Sequence, residues 1–128
     1  MTIDKKLEID IKDEIEWCPV KATMCVLERK WALQIIKELV GGTRRFNQLQ
    51  AVLEGINAKT LSQRLKELEG EELVQRVVLS HIPPWVEYSL TQKGQEMSEI
   101  IDQIDVWARK WMQSPLLEEQ REKVADLR

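Results

Sequence analysis

Lys59, Thr60 and Gln63 lie on the polar side of a segment whose other side repeats Leu61, Leu65 and Leu68 at i, i+4 and i+7. That spacing predicts a helix with one buried stripe, and Asn57 ahead of it is a good N-cap. A helix of this kind laid in a major groove has side chains suited to base edges. Gln pairs bidentately with adenine, Lys donates to guanine, and a Thr methyl packs on thymine. Lys59, Thr60 and Gln63 are therefore candidate base readers, with Ser62 at the margin. Arg44, Arg45 and Lys66 flank the segment and suit phosphates, which position a protein without specifying sequence. Arg64 has two readings, a phosphate contact or an internal brace. A solvated polar face on an amphipathic helix has the same spacing, so spacing alone does not choose.

Charge distribution favours an anionic partner. Between Thr43 and Lys66 five cations face the single acid Glu54, a local charge of +4, although the whole chain carries −3 at pH 7. Apart from Glu28 and Glu38, the other acids sit in the first sixteen residues and from Glu67 onward. A basic patch on an acidic protein is what a DNA reader needs. Other chemistries lack their parts. His81 is the one histidine, expected exposed at a hairpin tip, and with Cys18 and Cys25 it makes no zinc spacing. No Gly-rich phosphate loop and no Ser/His/Asp set is present, so the expectation is no enzyme, no metal and no cofactor.

The elements that must position these residues follow from length and punctuation. A chain of 128 residues, 43% of them hydrophobic, suits one domain with a real core. No run approaches the roughly 18 apolar residues of a membrane span. The start has no signal-peptide pattern, and two cysteines make no disulfide framework. The expectation is a soluble cytoplasmic protein. Leu7, Ile9 and Ile11 alternate with polar residues, the pattern of a strand or a loose extended arm over 1–17. From Pro19 a helical period places Val20, Met24 and Leu27 on one face, with Cys25 read as core. A second helix carries Trp31, Ile35, Ile36, Leu39 and Val40 and stops at Gly41-Gly42. Thr43 is the expected N-cap of a short third helix bearing Phe46, Leu49, Val52 and Leu53, closed by Gly55. After the Asn57 helix, Leu73–Leu79 and Trp85–Leu90 read as strands joined through Ser80–Pro84. Thr91 then caps a long helix to about Met112, and 113–128 reads as an amphipathic tail after Pro115. Two short helices joined by a Gly-containing turn and followed by a two-stranded ribbon describe a winged helix-turn-helix, mainly α with a β-hairpin wing. Winged helices also serve as protein-docking modules, so the order gives fold and not function.

The long helix carries Met97, Ile100, Ile101, Ile104, Trp107, Ala108, Trp111 and Met112, a stripe wider than one small domain readily covers. Such surface marks a partner interface; the bland alternative is an intramolecular core. Leu116, Leu117, Val124 and Leu127 extend the interface or pack on their own subunit. Trp31, Trp107 and Trp111 are candidates for a small apolar cavity, with ordinary packing the favoured reading. Cys18 precedes Pro19 at a helix start, where backbone N–H groups and Lys21 favour thiolate. A packing cysteine of ordinary reactivity is the alternative. Cys18 and Cys25 are two helical turns apart, about 10.5 Å, beyond the roughly 7 Å limit for a disulfide within one helix.

Several ordered blocks resemble the HxlR-type branch of the MarR-like winged-helix transcriptional regulators. They are Cys18-Pro19-Val20, Lys30-Trp31, Arg45-Phe46-Asn47-Gln48-Leu49, the run Leu61 to Leu68, and Pro83-Pro84-Trp85-Val86-Glu87-Tyr88-Ser89-Leu90-Thr91 with Lys93-Gly94. The match covers about residues 18–112. The resemblance implies a homodimeric, sequence-specific binder of double-stranded DNA, with the long helix as its dimerisation element through Ile100, Ile101, Ile104, Trp107 and Trp111. An inverted-repeat operator is implied with it, its half-sites about 34 Å apart. The resemblance also implies a redox role for Cys18, since some members sense oxidants through a cysteine in this motif. Three positions depart from the family pattern. Glu28-Arg29 replaces Gly-Gly before Lys-Trp, Glu72 replaces a Gly at the wing entry, and Trp85 replaces a wing cation. The last departure keeps open a second reading, a winged-helix protein-interaction module without DNA binding.

Overall fold

The computed structural model describes residues 17–112 and Val124. Helices α1 (Pro19–Leu27), α2 (Ala32–Leu39), α3 (Phe46–Val52) and α4 (Ala58–Gly70) precede strands β1 (Val74–His81) and β2 (Pro84–Leu90), and α5 (Gln92–Trp111) closes the domain. This is the winged helix-turn-helix expected from the residue pattern, with its long final helix. The alternation over 1–16 and the tail residues Leu116, Leu117 and Leu127 lie outside the described residues. Val124 is helical and exposed. Among the described residues, no helix is long and apolar enough to cross a membrane.

Leu61, Leu65 and Leu68 of α4 are buried against Ile35, Ile36 and Leu39 of α2 and Leu49 of α3 in one cluster. Each such side chain contributes roughly 1.5–3 kcal/mol on leaving water. Asn57 caps α4 as expected, its Oδ1 accepting from the Thr60 N–H at 2.8 Å. Thr91 caps α5 through Gly94 N–H at 3.1 Å. Gly55, at φ +88, makes the turn between α3 and α4 in a conformation L side chains avoid.

Local expectations fail where tertiary contacts intervene. Thr43 is not the cap of α3. Arg44 pairs with Tyr88 through two backbone hydrogen bonds, 2.9 and 2.8 Å, which adds a third short rung to the wing. This extended stretch postpones the helix to Phe46. Arg45 takes the cap position, its N–H donating to Gln48 Oε1 at 2.9 Å. The strands run to His81 and Pro84, further than expected, and leave Ile82-Pro83 as the turn. His81 is exposed there. Cys25 is exposed rather than core, because α1 buries only its Leu27 end while Val20 and Met24 face outward.

One of the three departures from the family pattern meets backbone that would suit glycine. Glu72 has φ 60. It occupies the C′ position after α4, where its N–H bonds Glu69 O and the Leu73 N–H bonds Leu68 O, both at 3.0 Å. This is a Schellman motif, in which the left-handed residue is usually Gly. Glu72→Gly should therefore raise stability by about 1 kcal/mol, the order of the steric penalty for a side chain at this φ. Chemical denaturation measures it, and an unchanged or lower midpoint would show the Glu side chain to be compensated. At another departure, Trp31, not residue 28 or 29, takes the left-handed turn, at φ 78.

Candidate nucleic-acid interface

Helix α4 begins just after the Gly55 turn, and its exposed face starts within its first turn. Lys59 and Gln63 are exposed, Thr60 and Ser62 half-buried, and Lys66 exposed one turn further on. Lys59, Gln63 and Lys66 are spaced by four and three residues and so share a face. Gln63 Nε2 donates to Glu67 Oε1 at 3.3 Å, a long and exposed bond that a better acceptor can replace. Between α4 and the wing runs a polar cleft of about 330 Å³ lined by Ser62, Lys66, Glu69, Arg76 and Tyr88. Arg76 brings a wing cation to this cleft that sequence reasoning passed over; the alternation of β1 would have pointed to it.

Arg64 leaves the phosphate group of candidates. Its Nε donates to the Lys30 carbonyl at 2.8 Å, and its NH1 bridges Glu67 at 3.2 Å. Arg29 reaches the same Glu67 carboxylate at 3.2 Å. Arg64 is thus the internal brace, tying the α1–α2 turn with its left-handed Trp31 to the middle of α4. Arg44 is half-buried, and among the described residues its Nε has no partner. Its main chain serves the wing. Arg45 lies against Trp85, with its guanidinium carbon 4.3 Å from the ring centroid.

The long-helix stripe divides. Ile101 is buried in the protomer's own core beside Ser98 and Gly94, one and two turns earlier, and so leaves the candidate interface. Ile100, Ile104, Trp107 and Trp111 stay between 50% and 66% exposed, alongside Val106 and Met112. Trp31 is half-buried and packs on the core. None of Trp31, Trp107 and Trp111 lines the apolar cavity, which lies between α1 and the start of α5 among Trp17, Val26, Leu27, Leu73 and Met97, with Lys93 at its edge. α5 is held to α2 by Lys37 and Asp105, 3.4 Å apart. Arg109, through its hydrogen bond first, and Lys37 hold the Asp105 carboxyl below the usual carboxylate range. Cys18 is exposed at the start of α1, and its side chain caps nothing.

A turn-linked helix pair with a cationic outer face, a sheet wing sewn to Arg44 and a long helix with an exposed apolar stripe together define a winged helix-turn-helix regulator. The sequence matches the HxlR-like helix-turn-helix family model over residues 26–115, and the chain belongs to that family. An uncharacterised helix-turn-helix-type transcriptional regulator of Bacillus subtilis, YvaP, is 36% identical over 107 residues, covering 83% of this chain and 99% of YvaP. The reduced form of the B. subtilis transcriptional regulator YodB superposes with a TM-score of 0.68 at 34% identity, covering 76% of this chain and 96% of that one. The redox regulator HypR in its reduced form gives 0.71 at 32% identity, covering 80% and 99%. The protein is a transcriptional regulator of the HxlR type within the MarR-like fold.

Proposed function

We infer that two copies of the chain form a twofold homodimer that binds double-stranded DNA at an inverted repeat. The observation that carries this reading is the exposed face of α4, where Lys59, Gln63 and Lys66 stand free of the core that holds the rest of the helix. Lys59, Thr60 and Gln63 read bases, with Ser62 at the edge, while Arg45 and Lys66 hold phosphates. The half-exposed Ile100, Ile104, Trp107 and Trp111 of α5 supply the apolar surface on which two protomers meet. Cys18 is a candidate redox switch. Its exposure supports that role, as does similarity to regulators described in reduced and oxidised forms.

A second reading, a protein-docking module without DNA binding, draws on the wing. Its cation position holds Trp85, and Val77, Leu79 and Ile82 are exposed on it. The cations of α4 weigh against it.

Selection from a random duplex pool tests both. The reduced protein is expected to enrich an inverted repeat with half-sites about one turn apart, roughly 34 Å. Oxidant is expected to change binding of wild type and leave Cys18→Ser unchanged. No enrichment by a folded dimer supports the docking module; an equal oxidant response of both proteins removes Cys18 as the switch.

A further inference from the structure

Trp85 stands in the wing where the family pattern has a cation, yet a cation is present at that place. It comes from the helix-turn-helix. The Arg45 guanidinium lies over the Trp85 ring at 4.3 Å, well inside the roughly 6 Å range of a cation–π contact. Both partners are held. The indole Nε1–H donates to Glu87 Oε1 at 3.0 Å, which fixes the ring on its strand. The Arg45 N–H is taken by Gln48, and the preceding residue is sewn to Tyr88 by two hydrogen bonds. Among the described residues, no carboxylate forms a salt bridge with Arg45. Arg45, Phe46, Asn47, Pro84 and Val86 line an open notch beside it.

We propose that Trp85 is the positioning residue for Arg45, holding its guanidinium over the indole at the wing–helix notch so that its N–H groups meet a DNA backbone phosphate. Stacking on an aromatic face leaves the planar fork of donors free at its rim. An arginine already stacked has less side-chain freedom to lose on binding, so more of the contact is realised as affinity. The cation at the Trp85 position is thereby lent by the helix-turn-helix rather than carried by the strand residue itself. This assignment rests on the DNA-binding reading above.

A double-mutant cycle on a labelled duplex carrying the enriched repeat tests it, with binding measured across a salt series. Arg45→Ala is expected to flatten the salt slope by about 1.8 for a dimer losing two phosphate contacts. Trp85→Ala is expected to weaken binding about two- to fivefold per protomer, the reach of an exposed cation–π contact. The double variant should bind no worse than Arg45→Ala, and Trp85→Phe should recover most of the loss. In the free protein, the Arg45 Nε–H resonance should carry a ring-current shift that Trp85→Ala abolishes. Additive losses, or a resonance indifferent to Trp85, would overturn the positioning role while leaving DNA binding intact. A wild-type protein that binds no duplex overturns both readings at once.

Discussion

Gly94→Ala is expected to lower the melting temperature by about 10–15 °C, from a loss of about 3 kcal/mol, the upper part of the usual overpacking range. A Cβ at this position would stand 2.1 Å from the Leu73 carbonyl oxygen, and 3.1 Å from both Leu73 C and Leu90 Cδ2. The first obstacle is backbone, which cannot rotate away. Nor can it easily withdraw, because hydrogen bonds from the start of α5 hold the same stretch. Thr91 N–H donates to Leu73 O at 3.1 Å, the Thr91 hydroxyl donates to Glu72 O, and the Lys93 amine donates to Glu71 O at 2.7 Å. Gly94 thus lets α5 touch the base of the wing, and that contact sets the wing's angle to the domain. Lys93→Ala, which removes one exposed hydrogen bond, should cost only about 1 kcal/mol. A Gly94→Ala protein that melts with wild type would mean that α5 and the wing base do not approach this closely.

Trp107→Asp is expected to convert the proposed dimer to a monomer and to abolish operator binding at concentrations where wild type is saturated. Trp107 is 59% exposed in the protomer, flanked by the equally open Ile104 and Trp111, so the substitution spares the protomer's own core. In a dimer packed on this stripe, losing a tryptophan anchor costs about 2–4 kcal/mol. An uncompensated charge buried in its place adds about 3–5 kcal/mol. Together they weaken association by at least about a thousandfold, since each 1.4 kcal/mol is tenfold. Sedimentation of both proteins checks the mass, and circular dichroism checks that the fold survives. A Trp107→Asp protein that remains a DNA-binding dimer would move the interface elsewhere, with the exposed Val20 and Met24 of α1 the next surface to test.

Much of the architecture was legible because its signals are local. The Leu61, Leu65, Leu68 repeat marks α4, and Asn57 and Thr91 each cap the helix that begins at the next residue. The cationic segment from Thr43 to Lys66 shows in one dimension because charges close in sequence share a surface. Stripes were harder to divide. Ile100 and Ile101 are neighbours in sequence with the same apolar character, yet one is 54% exposed and the other buried. Adjacent helical positions point about 100° apart, and only the position of α2 and the wing base says which direction is inside. Cys25 fell to the same ambiguity.

Composition and periodicity by themselves determined the winged helix-turn-helix order, the helix that carries the exposed polar face and the excess of apolar surface on the last helix. Hydrophobic spacing and capping act within a few residues, so they can be read from the chain alone. Tertiary structure decided which arginine does what. Arg44, Arg45 and Arg64 are equivalent as cations, but the first is bound into the wing through its backbone, the second lies on Trp85, and the third braces Lys30 and Glu67. A guanidinium goes where a carbonyl, carboxylate or ring face is within reach, and those partners come from residues 34 and 40 positions away from Arg64 and Arg45.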